Sequence, residues 1–455
     1  MTTDFNDSFN SAHDANAWSD STSGPFSEER VAATEARVAQ TGILEKLAAW
    51  RAEDGQTTGR AKHPQISERA ILVGLLLLAS EHRALWISSL AEVFQYRLTP
   101  KSRALLRLPD ATDGIAGDFS RPERWCSHTM SAFHRMLARM DPFPHDRSRA
   151  LTYTEVRAAL DEHDSIREGK MKTRLDEFTN GFLQMAFMQQ PLDLRRPTSR
   201  IDISVGHMFI SSPTSRGFAR KTLAAKVAAE AGADPRTLHR GPTDVFAGWD
   251  LRDRKNSNSE FAWGWTANIA VRVDSECPGL RRFPTVAIGA TLSLPNVAIA
   301  QETVSLMHAA LDTGLEPGIV DADEPYFASA QAELIHESTF NLGFTPASDY
   351  RVDRLEENRG HRPAFNYDGP EWKEFHGHSQ ASFEQFHAAV QNPSRENIGE
   401  SSRRAVHGFA AAQVFVTILL TNYNLRTIAA FDHEACAAHR APAFGPGRSE
   451  RGSIG

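Results

Sequence analysis

The first third of the chain carries apolar residues at helical spacing. Val31, Ala32, Ala36 and Val38, then Ile43, Leu44, Leu47 and Ala48, recur every three or four positions from Glu29 onward. A Gly/Thr/Lys loop over 55–64 interrupts the pattern. It resumes behind Ser67, a residue suited to accept the free N–H groups of a helix start, and runs through Leu78. Further helices are expected over Leu85–Phe94, Lys101–Leu106 and Ser127–Met140, with Pro142 and Pro144 closing an all-α unit. Thr152–Gln190 reads as another helix, charged, with Phe178, Phe182, Met185 and Phe187 as its apolar positions.

Past Pro191 and Pro197 the period falls towards two, the signature of strands. Strands are expected at Arg200–Ile210, Phe261–Val273 and Thr285–Leu294. A helix follows at Gln301–Thr313, a short buried strand at Gly318–Val320, a helix at Ala328–Ser338 and a strand at Leu342–Ser348. That order predicts an α/β layer, a mixed sheet covered by helices. The chain then returns to helix at Ser382–Val390 and Arg403–Phe431. Residues 1–28 are rich in Asp, Ser and Asn and poor in aliphatics, and are expected to be a disordered acidic tail. The division that results is a helical N-terminal unit over 29–150, a helical connector over 151–197, the α/β unit over 198–430 and a flexible tail over 431–455.

Composition refines this picture. A chain of 455 residues exceeds one ordinary core, and 41% hydrophobic with 24% charged residues describes a globular protein. The longest apolar run, Ile71–Ala79, is about half of a membrane span, so no membrane partner is expected. The N-terminus lacks a basic-then-apolar leader, and Cys126, Cys277 and Cys436 are odd in number and scattered. A cytoplasmic setting is the expectation.

A net charge of −7 argues against nucleic acid until it is located. Residues 1–30 hold six acids against Arg30 alone. Between Ser212 and Lys255 nine basic residues face five acidic ones. This basic insertion, near 212–258, offers Arg216, Arg220, Lys221, Arg252, Arg254 and Lys255 as a DNA-backbone surface beside the first acid described next. An ordinary solvated loop and helix is the alternative for that segment.

Four carboxylates sit at places suited to chemistry. Asp202 lies between two isoleucines in a strand, where an unpaired charge is costly unless it faces solvent or a partner. Asp321 and Asp323 follow the apolar end Pro-Gly-Ile-Val, where open α/β sheets place their ligands. Glu384 lies in Ser-Phe-Glu-Gln-Phe-His, on a helix closed by Asn392-Pro393. Asp202, Asp323 and Glu384 together form a hard oxygen set of the kind that holds two Mg²⁺ or Mn²⁺ ions for in-line phosphodiester displacement. Asp321 stays open as the alternative second acid. His376 and His378, flanking Gly377, read as loop histidines near the site. His433-x-x-Cys436-x-x-His439 lacks a fourth zinc ligand, and no Walker, GxGxxG or GxSxG motif occurs.

The order Asp, Asp, Glu on a strand–strand–strand–helix–strand–helix frame resembles the ribonuclease H-like catalytic domain of bacterial insertion-sequence DDE transposases. Ile-Asp202-Ile-Ser resembles the family's "DAT" strand, and Asp323-Glu-Pro-Tyr326 its "DRAY" element. Phe-Glu384-Gln-Phe-His is similar to its "VE-x-F-N" helix, and Ala247-Gly248-Trp249, Trp263-Gly264-Trp265 and Asn424-Leu425-Arg426 look like further landmarks. The likeness covers about residues 198–430 well and 60–110 loosely. It implies a metal-dependent transposase with Asp202, Asp323 and Glu384 as catalytic ligands of two Mg²⁺ or Mn²⁺ ions. It also implies insertion-sequence ends and target DNA as partners, and a homodimer is compatible with it. The chain departs from the pattern at Glu324 and Gln380, where many relatives are basic, and has only 61 positions between Asp323 and Glu384. A catalytically decayed or domesticated DNA-binding descendant is therefore the second expectation.

Overall fold

The computed structural model describes residues 24–55, 66–109, 121–214, 217–234, 238, 240–253, 259–322, 332–347 and 363–440. Helices α1 (Glu28–Gln40), α2 (Ile43–Glu53), α3 (Glu68–Ser80), α4 (Ile87–Tyr96), α5 (Pro100–Leu106) and α6 (Pro122–Leu137) form the N-terminal part. Ser67 caps α3 as its chemistry predicts, its hydroxyl accepting from Ala70 N–H. Order begins before residue 28. Phe26 is buried beneath the Arg97 guanidinium, 4.1 Å from its ring centre, and Ser27 caps α1.

The charged helix expected over 152–190 is two helices, α7 (Tyr153–Asp161) and α8 (Ser165–Met188). Asp164 restarts the second by accepting the N–H groups of Ile166 and Arg167. The short α9 (Leu192–Arg195) then leads into the sheet. The 198–430 region supplies β1 (Arg200–Ser211), α10 (Arg220–Glu230), β2 (Gly248–Asp253), β3 (Ser259–Val273) and β4 (Ala287–Ser293). It continues with α11 (Ile299–Leu311), β5 (Glu316–Ala322), α12 (Ala332–Asn341), β6 (Thr345–Pro346), α13 (Pro370–Val390) and α14 (Phe409–Arg440). Helix α14 continues through residues 431–440, which the sequence assigned to a flexible tail.

The sheet is mixed. Along it run β2, β3, β1, β5 and β6, with β4 also paired to β3. β3 is long enough to hold two partners end to end on one edge, β2 against residues 259–264 and β4 against 266–271. β1 is antiparallel to β3 and parallel to β5. Along β1, Ile201, Ile203 and Val205 face a core shared with α11 and α12, built from Leu306, Met307, Val320, Ala322 and Ile335. Asp202, Ser204 and Gly206 alternate onto the other face, beneath α13, where the Phe383 ring lies directly over Gly206.

The helical part is continuous with the sheet. One apolar cluster runs from Phe26 through α3, α6 and α8 to β3, β4 and α14. Phe133 of α6 stacks on Phe415 of α14, with ring centres 5.3 Å apart. Thr179 of α8 shares a 2.9 Å hydrogen bond with Thr417. The segment Phe409–Glu434 is long and apolar enough to cross a membrane by composition, yet 67% of its most apolar window is buried inside the protein. Its hydrophobicity is that of a core helix. The Asn424 amide grips both the N–H (2.9 Å) and the C=O (2.7 Å) of Ala287 and pins α14 to β4. The tryptophan landmarks are structural as well: Trp263 and Trp265 donate their indole N–H groups to Asp244 O and Phe246 O.

Candidate functional site

Asp202 is buried, and three donors hold its carboxylate. Ser275 N–H (3.1 Å) and Ser275 Oγ–H (2.6 Å) reach Oδ2, and Ile319 N–H (2.7 Å) reaches Oδ1. Arg272, a fully buried guanidinium on the neighbouring strand, stands opposite Ile203 and so lies on the other face of the sheet. Burial pushes Arg272 down to about 10, while the charges of Asp274 and Asp202 work to keep it protonated. Asp274, at the end of β3, is bound by Arg282 through two 2.6 Å contacts. Burial opposes its ionisation, yet Arg282 and the Cys277 and Glu276 N–H groups hold it below the usual carboxylate range. Asp274, in the turn beside Asp202, is thus neutralised by Arg282.

Asp321, near the end of β5, is fully buried and meets His376 of α13. The imidazole Nδ1 lies 3.0 and 3.1 Å from the two carboxylate oxygens. The His376 ring stacks on Trp372, with centres 4.5 Å apart and planes 12° from parallel. His376 and His378 are therefore helical residues, because α13 begins twelve positions before the helix expected from Ser382. Gly377 and the polar residues around it hid that extension. The residue on α13 that reaches the strand end is His376, a contact across 55 positions that no local pattern announces.

Glu384 lies on the same helix but is exposed. It stands two turns beyond His376, about 12 Å along the axis and roughly 80° around it. Nearby His387 is lowered by burial and by His207, with Glu384 acting in the opposite sense. Asp323, with Glu324 and Tyr326, falls outside the described residues.

The ion pair required by the expected chemistry can be tested against these donors. Mg²⁺ binds oxygens at about 2.1 Å and needs open lone pairs. Asp202 offers its lone pairs to N–H and O–H groups and is closed over by Gly318, where even a Cβ would lie 2.2 Å from Oδ1. Among the described residues no group of three His, Cys, Asp or Glu side chains is placed to hold a metal. The donor set as described does not fit a two-metal centre that includes Asp202.

The basic insertion lies elsewhere. Arg220 and Lys221 are exposed at the start of α10. That helix docks on α7: Lys226 lies 4.2 Å from the Tyr153 ring centre, and Glu230 accepts the Tyr153 and Thr154 N–H groups. Arg252 is on β2, though its side chain, like Arg216, Arg254 and Lys255, lies outside the described residues. β2 pairs with the start of β3, whereas Asp202 pairs with Val273 at its end. The described strand of the insertion, β2, therefore lies at the opposite end of β3 from Asp202, not beside it. Asp244 anchors it there, accepting from Gly408 N–H (2.8 Å) and Ser212 Oγ–H and meeting His407. Burial opposes the Asp244 charge, but His407 and Ser212 hold this carboxyl below its usual range.

Comparison with protein-family models, with curated proteins and with solved structures finds no match to this chain.

Proposed function

We propose that the chain is a DNA-acting protein of DDE transposase descent, a ribonuclease H-like layer joined to a helical DNA-binding part. The observation that carries this reading is the sheet. Three strands in the antiparallel order β4-β3-β1 continue into parallel β5 and β6, with acids at the β5 end and on the helix packed across it. That mixed sheet flanked by helices is compatible with the ribonuclease H-like layer the resemblance implies. Insertion-sequence ends and target DNA are the partners in this reading, the cytoplasm its setting and a homodimer its compatible assembly.

Two versions differ in chemistry. In the first, the protein is a transposase that cuts and joins DNA with Mg²⁺ or Mn²⁺ at Asp323, Glu384 and Asp202. In the second it is a domesticated DNA-binding descendant that keeps the fold. The engagement of Asp202 by Ser275 and Ile319 favours the second. The test uses purified full-length protein, duplexes from the DNA flanking its gene, and Mg²⁺ or Mn²⁺. The descendant binds these duplexes without nicking or joining them. Strand cleavage that is lost in Asp323→Ala would establish the enzyme instead. No binding to the flanking DNA, at low salt as well as high, would remove both versions.

A further inference from the structure

The pairing of β1 with β5 contains a one-residue slip. Ile201 stands opposite Pro317, but Ile203 stands opposite Val320, so Asp202 alone faces both Gly318 and Ile319. Beyond this bulge Ser204 pairs with Asp321 and Val205 with Ala322. Side chains alternate faces along a strand, so a slip of one residue exchanges every later side chain between the two faces. Without the bulge Asp321 would pair with Val205 and point into the apolar core under α11 and α12. With it, Val320 and Ala322 enter that core and Asp321 turns to α13 and His376.

Asp202 holds the bulge. A bulge leaves a strand N–H outside the regular ladder, and the Ile319 N–H is the one its Oδ1 accepts. Gly318, the other residue opposite Asp202, has no room for a side chain: an added Cβ would also lie 2.8 Å from Ile201 O. The second carboxylate oxygen, taken twice by Ser275, ties the bulge to the turn after β3. We infer that Asp202 is a positioning residue: its carboxylate clamps the β5 bulge, which turns Asp321 towards His376. This inference rests on the descendant reading, in which Asp202 holds no metal, but its test reads Tm and hydrogen exchange rather than DNA binding or cleavage, so the two can fail separately.

The experiment is a double-mutant comparison on the full chain. His376→Ala lowers Tm in the wild-type background because it strands the buried Asp321 carboxylate. In Asp202→Ala that same change costs little or nothing further, because Asp321 no longer meets His376. Hydrogen exchange across residues 316–322 rises by about tenfold or more in Asp202→Ala, reporting the released Ile319 N–H. Costs of the two changes that simply add would overturn the proposal, since an Asp202 of merely general structural value would not couple to His376. Should Asp202→Ala fail to fold, Ser275→Ala removes only the hydroxyl donor and is expected to show the same coupling in part. Mn²⁺ titration of Ser275→Ala is a second arm. Tighter Mn²⁺ binding, as expected if a freed lone pair made Asp202 a ligand, would overturn the assignment; unchanged or weaker binding supports it.

Discussion

Two glycines on adjacent strands show how closely the sheet is packed and how differently its close contacts can yield. A Cβ on Gly206 would lie 2.4 Å from ring atoms of Phe383, and one on Gly264 would lie 2.2 Å from the Ile210 carbonyl oxygen. The first obstacle is a side chain and can be cut back; the second is backbone within a paired strand. Gly206→Ala is expected to cost about 1–3 kcal/mol, the range for overpacking, and Phe383→Leu in the same chain to recover part of it. Gly264→Ala is expected to cost more and to find no such rescue. Urea denaturation of these three variants beside the wild type checks both statements, and a Gly264→Ala protein no less stable than Gly206→Ala would contradict the second. Residue-scale meaning was only partly legible in the sequence. Asp202 was recognisable as a carboxylate in need of a partner, but its partners come from residues 73 and 117 positions away. The same holds for Asp321, whose importance depends on a register that hydrophobic alternation along one strand cannot encode.

Between elements, the polar seam where α8 meets α11 and α14 has one charge too many. Lys172 pairs with buried Glu302 at 2.6 Å, and Gln413 donates to Asp176 at 3.1 Å, so two carboxylates share one ammonium. Burial, and then repulsion from Glu302, raise Asp176 to about 7. A carboxyl whose folded pKa exceeds its unfolded value of 3.8 gives full stability below about pH 4 and loses it as pH climbs towards 7. Asp176→Asn is therefore expected to match the wild type at pH 4 and to be the more stable protein at pH 8, by roughly 2–4 kcal/mol. Denaturant midpoints at the two pH values measure this, and an equal offset at both would exclude the shared charge. At this scale the sequence was informative wherever one face of an element is apolar. β1, β3, β4 and α11 fall within two residues of expectation, whereas α14 starts six residues later than Arg403 and runs nine beyond Phe431. It placed no strand at β2, and for α10 offered only an unplaced helix as the alternative reading of the basic insertion. It also merged α7 with α8, because only the Asp164 cap separates two helices of similar charge.

For the whole molecule, the apolar cluster from Phe26 to Tyr423 ties the helical half to the sheet. α8 and α14 both pack on β4, and Arg174 of α8 reaches back to Glu53 and Asp54 beside α2. A fragment starting at Arg200 would expose that face of β4 and one side of α14. It is expected to aggregate or to lack cooperative unfolding, while residues 24–440 unfold in one transition. Circular dichroism melts of the two distinguish the cases, and a cooperative melt of the fragment would show that the sheet half is self-sufficient. Charge is distributed on the same scale. The exposed Arg220 and Lys221 stand on the insertion, away from the acidic N-terminal residues in the sequence. On the proposed DNA-acting reading, replacing both by Ala is expected to weaken DNA binding alike across sequences and to lower the log–log salt slope by about 1–2.

β3 joins two places that have been treated separately. It is fifteen residues long, about 50 Å of extended chain. Its first half is paired with the strand of the basic insertion, and its last residue leads into the Asp274–Ser275 turn that grips Asp202. Mechanically it is a beam, paired with β1 from Gly264 to its last residue, Val273, and with β4 over residues 266–271. A pull on the insertion would therefore be shared across the hydrogen-bonded ladders of β1 and β4 before it reached Ser275. The carboxylate clamp, and the face presented by the end of β5, are thereby insulated from the far side of the sheet.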